Sequence, residues 1–185
     1  LVSDAGMPSI CDPGEELIYK ARSFGLNIIC IPGPCAALTA LVASGFPSSK
    51  FIFEGFLPKK KVEREKILFE ISKNDKTIIL FESPYRLKKL INELMDFCGG
   101  EREIQVFREL TKKYEEHIGN NIYEVQKFLE GKEILGEITV IIKGLSKLKE
   151  NNELDKIELK KELKELIQAG LTLSAASKYL AKKNN

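Results

Sequence analysis

The chain has 185 residues, 43% of them hydrophobic, and its 29 lysines and arginines against 27 acidic residues leave a formal net charge of +2. That composition suits one substantial core or two smaller ones and excludes a disordered or fibrous chain, while the near-balanced charge confines any attraction for nucleic acid to local patches. No apolar run approaches the roughly 20 residues that span a bilayer, and no charged-then-apolar leader opens the sequence, so a cytoplasmic protein without membrane contact is expected.

The opening LVSDAG lacks a methionine and reads as the end of a strand entering a loop, as in a fragment of a longer chain. Asp12, Pro13 and Glu15 fit an N-cap, a first-turn proline and a capping-box acid, and Leu17, Ile18, Ala21 and Phe24 follow with helical spacing up to Gly25. Asn27 to Ile31 is a short β-branched run that predicts a strand, Pro32-Gly33-Pro34 a tight turn, and Cys35 to Ser44 a small-residue buried helix. Phe51 to Phe56 predicts a strand, and the polar LPKKKVEREK leads into a helix over Val62 to Ser72.

Thr77 to Phe81 is a continuous apolar strand of the buried type, followed by Ser83 and Pro84 as N-cap and N1 of a helix over Tyr85 to Phe97. Ile104 to Arg108, Ile122 to Leu129 and Ile138 to Lys143 predict strand, helix and strand. The alternation points to a mostly parallel or mixed sheet covered by helices. From Leu145 a Lys/Glu/Asn-rich linker leads to helical spacing at Leu159, Leu163, Leu166 and Ile167, then to a second short helix from Ser174 after Gly170. Cys11, Cys30, Cys35 and Cys98 match no metal-binding or paired spacing and read as buried thiols of a reducing compartment.

The loops at 3–14 and 31–41 place glycines, prolines and small residues before helix starts, where the backbone can approach a ligand and free N–H groups can meet an anion. Either loop alone is equally a structural turn. Two at strand C-terminal ends of an open α/β sheet share the edge where ligands bind. FESPYR at 81–86 and FRELTKKYEEH at 107–117 add charged residues at strand exits, which could cap helices or carry chemistry. Lys59, Lys60, Lys61 and Arg64 form a basic stretch beside Phe56, suited to a phosphate backbone or to a solvated helix start.

In order, LVSDAGMPSICDPG, IPGPCAALTALVASGFPS, FEGFLPKK, IILFESPYRL, FRELTKKYEE and GEITVII resemble successive motifs of the small-subunit ribosomal RNA 2′-O-ribose methyltransferase I family, within the tetrapyrrole methylase class. The resemblance runs from Leu1 to about Gly144, and the final helices are similar to the small helical domain of such proteins. It implies an α/β fold of two lobes. Residues 1–48 would be the C-terminal part of an incomplete first lobe, 49–146 the second lobe, and 153–185 part of a helical domain. The TPIGNL-like loop and EDTR-like segment with which the family begins are absent, which puts the cleft of this chain in question.

The resemblance further implies S-adenosylmethionine between the lobes, touched by Asp4, Ala5, Gly6, Pro8, Pro34, Cys35, Ala36, Phe81, Glu82, Ser83, Leu110, Gly136, Glu137 and Ile138. Methyl transfer to a ribose 2′-hydroxyl needs positioning and a route for the proton, for which Glu82, Arg108 and Glu109 are the candidates, the arginine as an electrostatic partner. Lys59, Lys60, Lys61, Arg64 and Arg86 are the candidate RNA contacts. The implied partner is 16S rRNA or the small ribosomal subunit, with a cytidine as target and a homodimer as the assembly. A precorrin-type methylase and a catalytically inactive RNA-binding fragment are the alternatives.

Overall fold

The computed structural model describes residues 1–4, 6–145, 162–168 and 170–183. It comprises two compact units, Leu1–Gly144 and Leu145–Asn185. In the second, residues 162–168 (α6) and Leu173–Lys183 (α7) are helical, and Ala176 and Leu180 are buried. The predicted linker and Leu159 lie outside the described residues.

The first unit is built on a mixed five-stranded sheet of β1 (Phe51–Phe56), β2 (Thr77–Glu82), β3 (Ile104–Arg108), β4 (Glu116–Ile118) and β5 (Ile138–Ile142), in the order β1-β2-β5-β3-β4. Only β1 and β2 pair in parallel; β5 lies antiparallel between β2 and β3, and β4 runs antiparallel to β3 along the edge. The C-terminal ends of β1, β2 and β3 and the start of β5 therefore meet at one edge of the sheet.

Helices α1 (Glu15–Ser23), α2 (Ala36–Ser44), α3 (Lys61–Lys73), α4 (Pro84–Cys98) and α5 (Ile122–Leu129) complete the unit. The period-2 pleat sorts the strand side chains onto two faces. Ile78, Leu80, Ile104, Val106, Val140 and Ile142 pack with Leu68 and Ile71 of α3, Leu87, Leu90, Ile91 and Leu94 of α4 and Val125 of α5. Ile79, Phe107 and Ile141 face the other way, onto Ala37, Ala40 and Leu41 of α2.

The alanines let α2 lie close to the sheet, so added volume has nowhere to go. Ala40→Leu is expected to destabilise the unit by about 1–3 kcal/mol through overpacking, read as a lower urea midpoint at unchanged slope.

Several expectations need correction. Asn27–Ile31 forms no strand. A strand is held by ladder hydrogen bonds, no strand lies beside this segment among the described residues, and Ile29 and Ile31 stay more than three-quarters exposed. Asp12 does not cap α1, because its carboxylate accepts the Ser3 hydroxyl; the helix begins after Gly14 without a side-chain cap. Ser83 does precede Pro84 at the start of α4, but its hydroxyl accepts from Arg86 Nε and does not cap the helix. Within the region 107–117, read as strand exit and loop, the chain instead turns back at Glu116 to form β4. Cys11 and Cys30 are exposed and Cys35 and Cys98 half-buried, all four as free thiols. No described helix is long and apolar enough to cross a membrane.

Candidate functional site

A cleft of about 470 Å³ opens at the sheet edge where β1, β2 and β3 end. The size is that of pockets for ligands of cofactor dimensions. Six stretches of chain build its walls.

The first stretch supplies Gly6, Met7, Ile10, Cys11 and Asp12, and the second Pro34, Cys35, Ala36 and Thr39 at the start of α2. A bulge in β1 seats the first of these. The register shifts between Phe53 and Gly55, Gly55 sits at φ 63°, and a Cβ there would lie 2.8 Å from Cys11 Sγ. The loop thus closes onto the strand because position 55 has no side chain. Burial raises the Cys11 thiol above its ordinary value, with a smaller opposing effect from a hydrogen bond to the Phe56 backbone. A thiol of raised pKa is protonated near neutrality and is a poor nucleophile.

Phe56 and Phe81 form the apolar side, Phe81 lying 5.8 Å from Phe56 and 5.1 Å from Phe53 between ring centroids. Next to them Glu82, Ser83 and Pro84 mark the turn from β2 into α4. The Glu82 side chain is fully buried. Its Oε1 takes the Arg86 guanidinium at 2.8 Å and the Ser83 N–H at 2.8 Å, and its Oε2 faces Arg64 Nη2 at 3.5 Å. Arg64 Nε continues the chain of charges to Glu93 Oε2 at 2.8 Å. Arg64 therefore lies inside the molecule, 4% exposed, and is not a surface contact for RNA. A helix start so close to a buried carboxylate draws its arginine inward. Lys59, Lys60 and Lys61 remain exposed, the latter two paired with Glu63 and Glu65 on the surface.

The remaining wall joins two loops: Leu110, Thr111 and Lys112 after β3, and Gly136, Glu137, Ile138 and Thr139 entering β5. Glu109 donates its N–H to the Glu137 carbonyl at 2.9 Å, and its Oε1 accepts the Glu137 N–H at 2.8 Å. Lys112 Nζ bridges Glu109 Oε1 and Glu137 Oε2, each at 3.0 Å. Arg108 is tied to Glu116 Oε2 at 2.9 Å and to the Leu135 carbonyl at 3.3 Å.

Of the residues expected at the cofactor, eleven positions from Gly6 to Ile138 line the cleft. Asp4 and Pro8 do not, and Ala5 lies outside the described residues. Among the three candidates for chemistry, Glu82 is in the lining while Arg108 and Glu109 stand behind it. Met7, Ile10, Cys11, Asp12, Thr39, Phe56, Pro84, Thr111, Lys112 and Thr139 also line it and were not singled out from the sequence for this role. The signal for Thr111 and Lys112 was the charged strand exit itself; for Phe56 it was its place in FEGFLPKK, at the end of a strand and beside the basic stretch.

The family model for Tetrapyrrole (Corrin/Porphyrin) Methylases matches residues 1–126. The chain belongs to this family. Among its curated relatives, a protein of Vibrio cholerae serotype O1 named ribosomal RNA small subunit methyltransferase I is 43% identical, over 78% of this chain and 51% of the relative. One of the same name from Bacillus subtilis strain 168 is 41% identical over 99% of this chain and 62% of the relative. The chain thus spans between half and two thirds of the length of these relatives. Among solved structures, a cobalt precorrin-4 methyltransferase superposes with a TM-score of 0.56 over 75% of this chain and 61% of that one, at 18% identity, a likeness of fold. The tetrapyrrole methylase fold is accordingly that of the Leu1–Gly144 unit.

Proposed function

We propose that the chain is part of an S-adenosylmethionine-dependent methyltransferase of small-subunit ribosomal RNA, a cytoplasmic homodimer that methylates the 2′-hydroxyl of a cytidine. The observation that carries this reading is the cleft at the C-terminal edge of β1, β2 and β3, in a chain whose relatives at 41% and 43% identity are named for that RNA. Residues 1–48 are assigned to the first methylase lobe, 49–146 to the second and 153–185 to a helical domain.

The lining fits the cofactor in chemistry. Met7, Ile10, Phe56, Phe81 and Leu110 offer apolar surface that excludes water, and backbone is open to approach at Gly6 and Gly136. Asp12, Glu137 and Lys112 bring charges of both signs to the lining, as a ligand with an ammonium, a sulfonium and a carboxylate needs. S-adenosylmethionine held here would supply a sulfonium-activated methyl group for the ribose oxygen, with S-adenosylhomocysteine as the leaving group and the hydroxyl proton released to solvent. Asp4 and Pro8 belong, on this reading, to the loop that shapes the same wall. Glu82 and Arg108 act on the reaction by holding strand ends in place, since each carboxylate or guanidinium is already engaged.

Lys59, Lys60 and Lys61, with the partly exposed Arg86, are assigned to the RNA backbone. Replacing the three lysines with glutamate is expected to weaken RNA binding by at least tenfold at low salt and to flatten its salt dependence, with cofactor affinity unchanged. Filter binding across a salt series checks it.

The test of the whole reading is calorimetric titration of the chain with S-adenosylmethionine, followed by labelled methyl transfer to 30S subunits and, separately, to precorrins. Transfer to 30S subunits alone is expected. Transfer to precorrins alone would assign the chain to the tetrapyrrole branch, and RNA binding without cofactor binding would make it a non-catalytic RNA module.

A further inference from the structure

The two loops of the cleft wall at 109–112 and 135–137 are joined by side chains, although 25 positions separate Lys112 from Glu137. Glu109 and Thr111 both hold left-handed backbone, at φ 51° and 65°, a conformation disfavoured for residues with a Cβ that persists only where surrounding contacts impose it. Those contacts are explicit. The Thr111 N–H donates to Glu115 Oε2 at 2.6 Å, and the Glu109 backbone and carboxylate are both bonded to Glu137. Lys112 closes the ring from above, its ammonium on both carboxylates.

We propose that Lys112 is a positioning residue, whose ammonium clasps Glu109 to Glu137 and thereby sets where the segment Gly136–Ile138 stands in the cleft wall. The consequence for cofactor affinity rests on the methyltransferase reading; the clasp itself does not. Without Lys112 the carboxylates of Glu109 and Glu137 face each other offset only by Arg108, whose guanidinium is bonded to Glu116 and the Leu135 carbonyl, and with Glu115 adding further negative charge at Thr111. Mutual repulsion then pushes the two loops apart, and the Glu137 N–H loses its fixed acceptor.

The direction of each pKa shift follows from this geometry. The Glu137 N–H, and after it Lys112, hold the Glu109 carboxyl below the ordinary carboxylate range, while Glu137 and Glu109 raise Lys112 above the ordinary lysine value. The Glu109 contribution is present above the ordinary carboxylate range and is lost as pH falls through its lowered value. The Lys112 contribution is present below the ordinary lysine range and is lost as pH rises through its raised value. The clasp is therefore closed across neutral pH. Glu109, bonded to the Glu137 N–H and to Lys112, is placed to hold the two loops together.

The test compares the wild-type chain with Lys112→Met and Lys112→Arg. The Glu137 amide is followed by NMR through a pH titration and by hydrogen exchange, and affinity for S-adenosylhomocysteine is measured by calorimetry. In Lys112→Met the titration seen at the Glu137 amide is expected to move up toward the ordinary carboxylate range, exchange to quicken at least tenfold, and ligand affinity to fall by roughly tenfold. Lys112→Arg, which keeps the charge, is expected to restore most of each effect. An unchanged Glu137 amide in Lys112→Met, or unchanged affinity in a chain whose wild type binds, overturns the proposal. A wild-type chain that binds no ligand overturns only the cofactor reading of the cleft, because the amide measurement decides the clasp without ligand.

Discussion

Arg64→Ala is expected to destabilise the Leu1–Gly144 unit by about 3–5 kcal/mol, the loss typical of a buried ion pair deprived of one partner. Its guanidinium is buried to within 5% of complete and lies between Glu82 and Glu93, so its removal leaves a fully buried carboxylate facing a void. Arg86 still holds Glu82 Oε1, but Oε2 has no hydrogen-bond partner and relies on Arg64 at 3.5 Å. For a unit of this size the loss corresponds to a fall in melting temperature of roughly 6–20 °C, measured by calorimetry or far-ultraviolet circular dichroism.

Companion variants separate charge from volume. Arg64→Met keeps much of the packing of the arginine stem and should recover part of the loss, whereas Arg64→Lys keeps the charge but not the planar fork that reaches two carboxylates. If Arg64→Ala melted within 1 °C of the wild type, the network would be ornamental. The same variant also tests the surface reading of this residue. An arginine that contacts RNA would lower RNA affinity and leave the melting temperature alone, the opposite of what its burial requires.

The history of Arg64 shows where sequence reasoning stops. In KKKVEREK it shares charge and neighbourhood with Lys59, Lys60 and Lys61, and nothing local tells it apart. What separates it is the carboxylate of Glu82, eighteen positions on, which arrives beside it only when β2 pairs with β1. The central strands were legible for the opposite reason. TIILFE and ITVII are mostly apolar, without a period-2 alternation, because both faces of the sheet are covered, α2 on one side and α3, α4 and α5 on the other.

Asn27–Ile31 has the same β-branched composition yet is no strand, because composition records a preference that only a neighbouring strand can satisfy. The three-residue β4 was invisible behind the charges of FRELTKKYEEH; its inward position, Ile118, is one apolar residue in a polar run. The site followed the same division. The small-residue loops before helices stand in the cleft wall, where their sequence placed them, while the ring of Glu109, Lys112 and Glu137 depends on two loops meeting in space.

Gly136→Ala is expected to weaken S-adenosylmethionine binding by at least tenfold, more than any other single methyl group added to the cleft wall. Two effects combine at this position. The backbone at φ 95° is disfavoured for a residue with a Cβ, and the added carbon would stand 2.5 Å from Glu109 Cγ and 2.7 Å from its Cδ and Oε1. Neither the side chain nor the loop can give way alone, since Glu109 Oε1 accepts from both the Glu137 N–H and Lys112. The relief lies in moving the whole segment into or out of the cleft, and displacements of the order of an ångström at a binding wall are enough for large losses. Calorimetric titration gives the affinity, and a thermal melt shows whether the fold survives. In the double variant Gly136→Ala/Glu109→Ala the collision is gone while the unfavourable φ remains, so folded stability should recover in part. Affinity should recover less, because that variant has also lost the carboxylate that fixes the Glu137 N–H. Affinity equal to wild type in Gly136→Ala would mean that the ligand does not lean on this wall at all, and would move the cofactor toward Gly6, Pro34 and Phe56 on the other side of the cleft.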